Sequence, residues 1–220
     1  MSEKYYDVSP YAYCAGDPVN AVDVDGMDYR RKKGVNRITI RAHYVAKDRK
    51  SLISAQQGIG FWNNRKKDIY TDENGKTYKI RYNLSVSQLT VKDKYWESEN
   101  TYEINDKYVE KQSSGQSSGI TINKKHIYVN KQYATKRNNL YFSSTPAHEI
   151  GHSLGMEHSD TGVMSPSQDR NRTTDVLPEN IQQMMTSTSG VDESPDLLTN
   201  IINAIKGLFD KDSIIPGNTN

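Results

Sequence analysis

Three of the five histidines in this 220-residue chain fall in one stretch, HEIGHSLGMEHSD, running from His148 to Asp160. In an α-helix, residues i and i+4 lie one above the other on the same face. His148 and His152 have that spacing, so their imidazoles can converge on one ion. Gly155 suits a left-handed turn that ends the helix and reverses the chain, which lets His158 return as a third ligand. Three neutral imidazoles leave a tetrahedral position open, the arrangement that separates catalytic from structural zinc. Zn2+ held in this way acidifies a bound water to a pKa of roughly 7 and polarises a carbonyl. Glu149, one residue off the ligand face, is placed to take a proton from the metal-activated water and hand it to a leaving amine. The pattern H-E-x-x-H-x-x-G-x-x-H would arise by chance about once in 10⁵ chains of this kind. The chemistry read from these residues is hydrolysis at zinc. A hydrolase of a non-protein amide such as peptidoglycan would share it. A zinc-binding module without catalysis would share the ligands alone.

A helix must carry the first two histidines. Thr145 suits its N-cap and Pro146 its first position, where a missing N–H costs nothing. The helix is expected to run to about Leu154. Upstream, VNRITIRAHYV alternates apolar and polar residues as a strand does, and SLISAQQGIGFWN has a helical apolar face. KTYKIRYNLSVSQL, after the turn DENGK, predicts a second strand, and NTYEINDKYVE a third. KQSSGQSSG is too small and polar to pack and predicts a mobile loop. GITIN and HIYVN predict one or two short strands. A helix opens at Pro178, and SPDLLTNIINAIKGLFD predicts a C-terminal amphipathic helix whose apolar stripe must bury against the domain or a partner. The basic run RRKKG, from Arg30 to Gly34, predicts an exposed linker. These signals divide the chain into an N-terminal segment, 1–30, a catalytic domain, 31–190, and a C-terminal helix and tail, 191–220.

The composition excludes several classes. Net charge is +2 and charged residues make up 25%, so there is no electrostatic case for nucleic acid. No apolar run approaches the roughly 20 residues of a membrane span, and the first residues lack the apolar core of a signal peptide. The single cysteine, Cys14, excludes an internal disulfide framework.

HEIGHSLGMEH resembles the metzincin zinc metallopeptidases, and among them the matrixins, which share the serine after the third histidine, here Ser159. GVMSP, from Gly162 to Pro166, resembles their Met-turn. The resemblance implies that Met164 lies beneath the zinc and that Pro166 begins a wall of the pocket for the residue after the scissile bond. It implies an α+β, zincin-like (metzincin) domain: a twisted mixed sheet of about five strands, an active-site helix, one helix before it and one or two after. It further implies a zinc-dependent endopeptidase whose protein or peptide substrate lies along an edge strand, with HIYVN or GITIN as that edge. Only His43 and His126 remain for the second, structural zinc of matrixins, and they are expected to be ordinary strand or loop histidines.

The segment YAYCAGDPVNAVDVDGMD resembles the end of the core of RHS/YD-repeat proteins through Tyr11, Tyr13, Pro18, Val19, Asn20, Asp23 and Gly26. Val24 replaces the family's proline. The resemblance implies a self-cleavage motif that includes Asp23, with scission after Met27. It also implies that the peptidase is the effector tip of a polymorphic toxin, secreted or delivered to another cell as part of a larger protein, with an immunity protein as a further partner. The alternative is a catalytically inactive zinc-binding module that recognises a target or immunity protein. Cys14 also invites comparison with the prosegment thiolate that blocks zinc in latent matrixins.

Overall fold

The computed structural model describes residues 29–90, 100–113, 117–134, 144–166, 172–193 and 201–202. Two long strands carry its sheet. Strand β2, Arg37–Ala46, turns Ile38, Ile40, Tyr44 and Ala46 inward, and β4, Thr77–Gln88, turns Tyr78, Ile80, Tyr82 and Leu84 inward. This is the period-2 alternation of a sheet with one buried face. The two strands pair in parallel from Arg37↔Lys79 to Ala46↔Gln88. Parallel neighbours need a crossover, and helix α1, Arg49–Asn63, supplies it. The Asp48 carboxylate caps α1 by accepting from the Ser51 N–H at 2.8 Å.

A short strand, β3, Ile69–Thr71, forms a hairpin with β4 across the DENGK turn. On the other side of β2, its C-terminal end pairs in parallel with β5, Thr101–Ile104. Strand β7, His126–Val129, runs parallel to β5, and β6, Gly119–Ile122, returns antiparallel along β7. The order is β3-β4-β2-β5-β7-β6. Of the two edge candidates, GITIN therefore supplies the outer strand, and HIYVN lies inside the sheet.

Helix α3, Ser144–Ser153, packs against α1, β6 and β7, and α4, Pro178–Thr186, follows. The core between helices and sheet is rich in tyrosine. Tyr29, Tyr44, Tyr78 and Tyr102 are almost fully buried. Tyr44 and Tyr102 donate their hydroxyls to Ser153 and Ser54, and Tyr29 donates to the Met184 carbonyl. A phenol is tolerated in a core where its O–H finds a partner.

Three segments differ from the local pattern expected of them. NTYEINDKYVE is not one strand, because β5 stops at Ile104 and helix α2, Asp106–Ser113, begins. Asn105 switches the backbone: its side-chain oxygen accepts from the Tyr108 N–H at 3.1 Å, a local bond that starts a helical turn. KQSSGQSSG is not one loop, since Lys111–Ser113 belong to α2 and Gly119 opens β6. The basic run RRKKG is not an exposed linker. Tyr29–Lys33 form β1, antiparallel to the first half of β2 and parallel to β8, Gly190–Glu193.

Arg31 explains how a basic run enters the sheet. It is buried, and its guanidinium donates to the carbonyls of Met185 at 2.7 Å and Gly190 at 2.9 Å, with Met184 and Ser187 at 3.2 Å. Its Nε donates to Asp192 at 2.7 Å. The side chain thus satisfies the exposed carbonyls at the end of α4. Among the described residues the sheet has eight strands rather than about five: β1, β3 and β8 are additional to those expected. Two helices precede α3 rather than one. The strands β1 and β8 run across the expected boundaries at 30 and 190. Most of the C-terminal helix and all of residues 1–28, including Cys14 and Asp23, lie outside the described residues; Ile201 and Ile202 are helical. No helix among the described residues is long and apolar enough to cross a membrane.

Replacing Arg31 with methionine should lower the unfolding free energy by about 2 kcal/mol, the cost of leaving carbonyls without their charged donor. Urea unfolding followed by tryptophan fluorescence measures it, and a midpoint unchanged from the parent would contradict this account of β1.

Candidate metal and catalytic site

The first turn of α3 holds Thr145 and Pro146, so the helix starts one residue earlier than the expected cap. Its position is set at both ends. Near the start, the Trp62 indole donates to the Ala147 carbonyl at 2.9 Å, and Gly58 of α1 lies so close that an added Cβ would stand 2.7 Å from the Pro146 carbonyl carbon. At the other end, the Tyr44 hydroxyl donates to Ser153 Oγ at 2.7 Å. The helix then stops in a Schellman turn: Met156 N–H bonds to the Gly151 carbonyl and Gly155 N–H to the His152 carbonyl, each at 3.0 Å. Gly155 has φ +81°, the left-handed conformation that glycine adopts without strain.

The turn brings the three histidines together. One ring nitrogen from each of His148, His152 and His158 lies within 4.8 Å of the others. His148 is buried, His152 half-buried and His158 exposed, so the cluster opens toward solvent on the His158 side. Two hydrogen bonds settle the tautomers. His148 Nδ1 faces the Val163 carbonyl at 2.9 Å, and His152 Nδ1 faces the Met156 carbonyl at 2.8 Å. A carbonyl only accepts, so each Nδ1 carries the proton and each Nε2 of a neutral ring presents a lone pair. Those two Nε2 atoms stand 3.1 Å apart. Two lone pairs held this close repel unless a cation lies between them, and three imidazoles form a borderline-soft donor set suited to zinc. Burial, with the neighbouring His152, holds the His148 pKa well below the usual histidine range. Burial lowers His152 to about 4 and also lowers His158. All three are therefore neutral, ligand-competent rings near neutral pH.

Glu149 lines the same cleft as the three imidazoles and is buried against β6. Its carboxyl packs on Gly119, where a Cβ would stand 2.7 Å from Oε1, so only glycine leaves room for it. The Thr121 hydroxyl lies 2.7 Å from Oε2 and 3.0 Å from the Glu149 carbonyl. Burial raises the Glu149 pKa to about 7, against the opposing effects of Thr121 and the Arg172 charge. A carboxyl poised there suits proton transfer at neutral pH.

Met164 is fully buried and packs its sulfur directly under Gly151 of α3. The Met164 carbonyl accepts from the Ser159 N–H at 3.2 Å. Ser159 Oγ donates to the Thr161 carbonyl at 2.9 Å and lies 3.2 Å from Asn180 Oδ1, which ties the His158 loop to α4. Pro166 lines the same cleft as the triad, about 700 Å³ in volume, together with Gly119, Thr121, Glu149 and Arg172. The structure thus gathers His148, Glu149, His152, His158, Met164 and Pro166 in one place. Gly119, Thr121 and Arg172 were invisible in the sequence, since each reaches the site from a separate segment with no motif of its own. His43 and His126 lie elsewhere: His43 bonds Ser85 and Ser87 on the sheet surface, and His126 bonds Thr101.

The sequence model of the matrixin peptidase family matches residues 47–185, from the start of α1 to the end of α4. The chain belongs to the matrixin family, a family of zinc-dependent metallopeptidases. No curated protein matches it.

The shifted pKa values make a prediction for the metal-free protein. Glu149 is raised from 4.5 to about 7, so the folded state holds the proton longer than the unfolded chain. Its favourable contribution is present below pH 4.5 and is lost as pH rises through about 7. His152 is lowered from 6.5 to about 4 and acts in the opposite sense, losing stability as pH falls from 6.5 toward about 4. Glu149→Gln removes only the first trend. Relative to the parent, the variant should gain on the order of 3 kcal/mol in going from about pH 4 to about pH 8. Denaturant titrations of chelator-treated protein at the two pH values read this, and parallel curves for both proteins would refute it.

Proposed function

We propose that the chain is a metzincin-type zinc endopeptidase. His148, His152 and His158 hold the ion, Glu149 is the general base and then the general acid, Met164 forms the Met-turn and Pro166 is a wall of the pocket beyond the scissile bond. The observation that carries this reading is the pair of Nε2 lone pairs 3.1 Å apart, each locked by an Nδ1–H bond to a backbone carbonyl. Zinc, when bound, supplies Lewis acidity toward water and the peptide carbonyl. The chain supplies the remainder. Two carbonyls orient two of the rings, as outer-shell partners of metal-binding histidines do. Glu149 Oε2 rests on the Thr121 hydroxyl, and the carboxyl accepts a proton from the attacking water and delivers it to the departing amine. The outer edge of β6 offers backbone groups to an extended peptide by strand addition.

The RHS-like segment supports a context for this activity. The peptidase would be the effector tip of an RHS-type polymorphic toxin, delivered to another cell as part of a larger protein and held in check by an immunity protein. Asp23 would serve self-cleavage after Met27.

Glu149→Gln should lower kcat/KM on a peptide library by about 10²- to 10⁴-fold, while bound zinc, measured by mass spectrometry of the metal, stays at the parental level. His148→Ala should lose both. A Glu149→Gln protein that cleaves at the parental rate would refute the assigned base. A delivered protein whose toxicity survives this substitution would favour the binding-module alternative. For the context, amino-terminal sequencing of the expressed chain should find a new terminus at Asp28 that Asp23→Ala abolishes.

A further inference from the structure

Arg172 has no role in the reading so far, yet it is buried and lines the cleft beside Pro166, His148 and Glu149. Its charge reaches Glu149 and all three histidines. Among the described residues its own bonding is incomplete. Nε donates to the Ser165 carbonyl at 2.9 Å, which fixes the direction of the side chain. Among the described residues the two terminal nitrogens reach only Ser144 Oγ and the Pro166 carbonyl, both at 3.5 Å, the outer limit of a hydrogen bond. Among the described residues it forms no ion pair with a carboxylate. A guanidinium keeps its proton, and a buried charge with one good bond is costly.

The charges lining the cleft sharpen the point. Glu157 and Lys124 face each other at 3.7 Å and offset one another. Among the described residues lining the cleft, Glu149 is at most one further negative charge against Arg172, so a bound divalent cation would make the cleft strongly positive.

We propose that Arg172 is a specificity-determining residue whose two terminal nitrogens receive a substrate carboxylate on the Pro166 side of the scissile bond. The inference rests on the peptidase reading for the position of that bond. The carboxylate can come from an aspartate or glutamate side chain directly after the bond or from a free peptide C-terminus there. The amide isostere, glutamine for glutamate, keeps size and shape but cannot accept two charge-assisted bonds.

The test compares peptides with blocked ends that differ only in glutamate or glutamine after the bond, together with a shorter glutamine peptide ending in a free carboxylate. Cleavage is measured with the zinc-loaded parent, and binding with the Glu149→Gln protein by fluorescence anisotropy. The parent should favour glutamate over glutamine by roughly 10- to 100-fold, the worth of hydrogen bonds to a charged group. Arg172→Gln should bring the ratio to about 1, and Arg172→Lys should keep part of it. A preference for the free C-terminus alone assigns the carboxylate to the chain end. A merely structural arginine would weaken all peptides alike and leave the ratio intact, which overturns the inference. So does a ratio near 1 in the parent, which needs no variant to fold. If no peptide is cleaved, the peptidase reading falls, and the ratio in binding still decides for or against Arg172.

Discussion

Two N–H to carbonyl bonds hold this site together. Neither His148 nor His152 is free to swivel, because the Nδ1 of each donates to the backbone, one to Val163 and the other to Met156. Both acceptors belong to chain that has already turned. Met156 is the residue on which the Schellman turn closes, and Val163 precedes the buried Met164. The rings are therefore aimed by the loop that follows the helix, not by the helix alone. A helix without that loop would place two imidazoles on one face and leave their tautomers undecided. The loop makes both Nε2 atoms lone-pair donors toward a common point.

The same loop is held from below. Met164 fills the space beneath Gly151, and any larger residue at 151 would collide with its sulfur. Ser159 and Asn180 tie the segment around His158 to α4. The C-terminal end of α4 is in turn held by Arg31 from β1. A chain of contacts thus runs from the first described strand to the third ligand. It connects a surface-looking basic run to the orientation of an imidazole, and each link is a polar group satisfied in a place where leaving it unpaired would be costly.

The Glu149 carboxyl depends on a different neighbour. Glu149 stands between α3 and the edge strand β6, seated on Gly119 and touched by the Thr121 hydroxyl. Its raised pKa is a consequence of that seat, since burial disfavours the charged form more than Thr121 and Arg172 favour it. Strand β6 therefore encloses the Glu149 carboxyl with its own residues.

The histidine cluster, the adjacent carboxylate and the helix end at Gly155 could be read from residues 148–160, because helical spacing and a left-handed turn are local properties of the chain; the place of Met164 came from the resemblance of GVMSP to a Met-turn. The long strands β2 and β4 and helix α1 were legible for the same reason: alternation and helical periodicity persist over ten or more residues. Where a segment was short, local pattern misled. Asn105 ended a strand and began a helix through one side-chain bond. Arg31 looked like a solvated cation until α4 presented it with carbonyls from more than 150 residues away. Gly119, Thr121 and Arg172 carry no periodicity and no spacing to each other. Which of them meets Glu149 or faces the cleft depends on strand order and on how the chain returns after Met164. The sequence by itself determined what chemistry the histidines and glutamate could perform. Only the tertiary structure decided which nitrogen of His148 and of His152 carries the proton, how far Glu149 is removed from water and which charge lines the cleft beside it, because these are set by groups distant in the chain and adjacent only after folding.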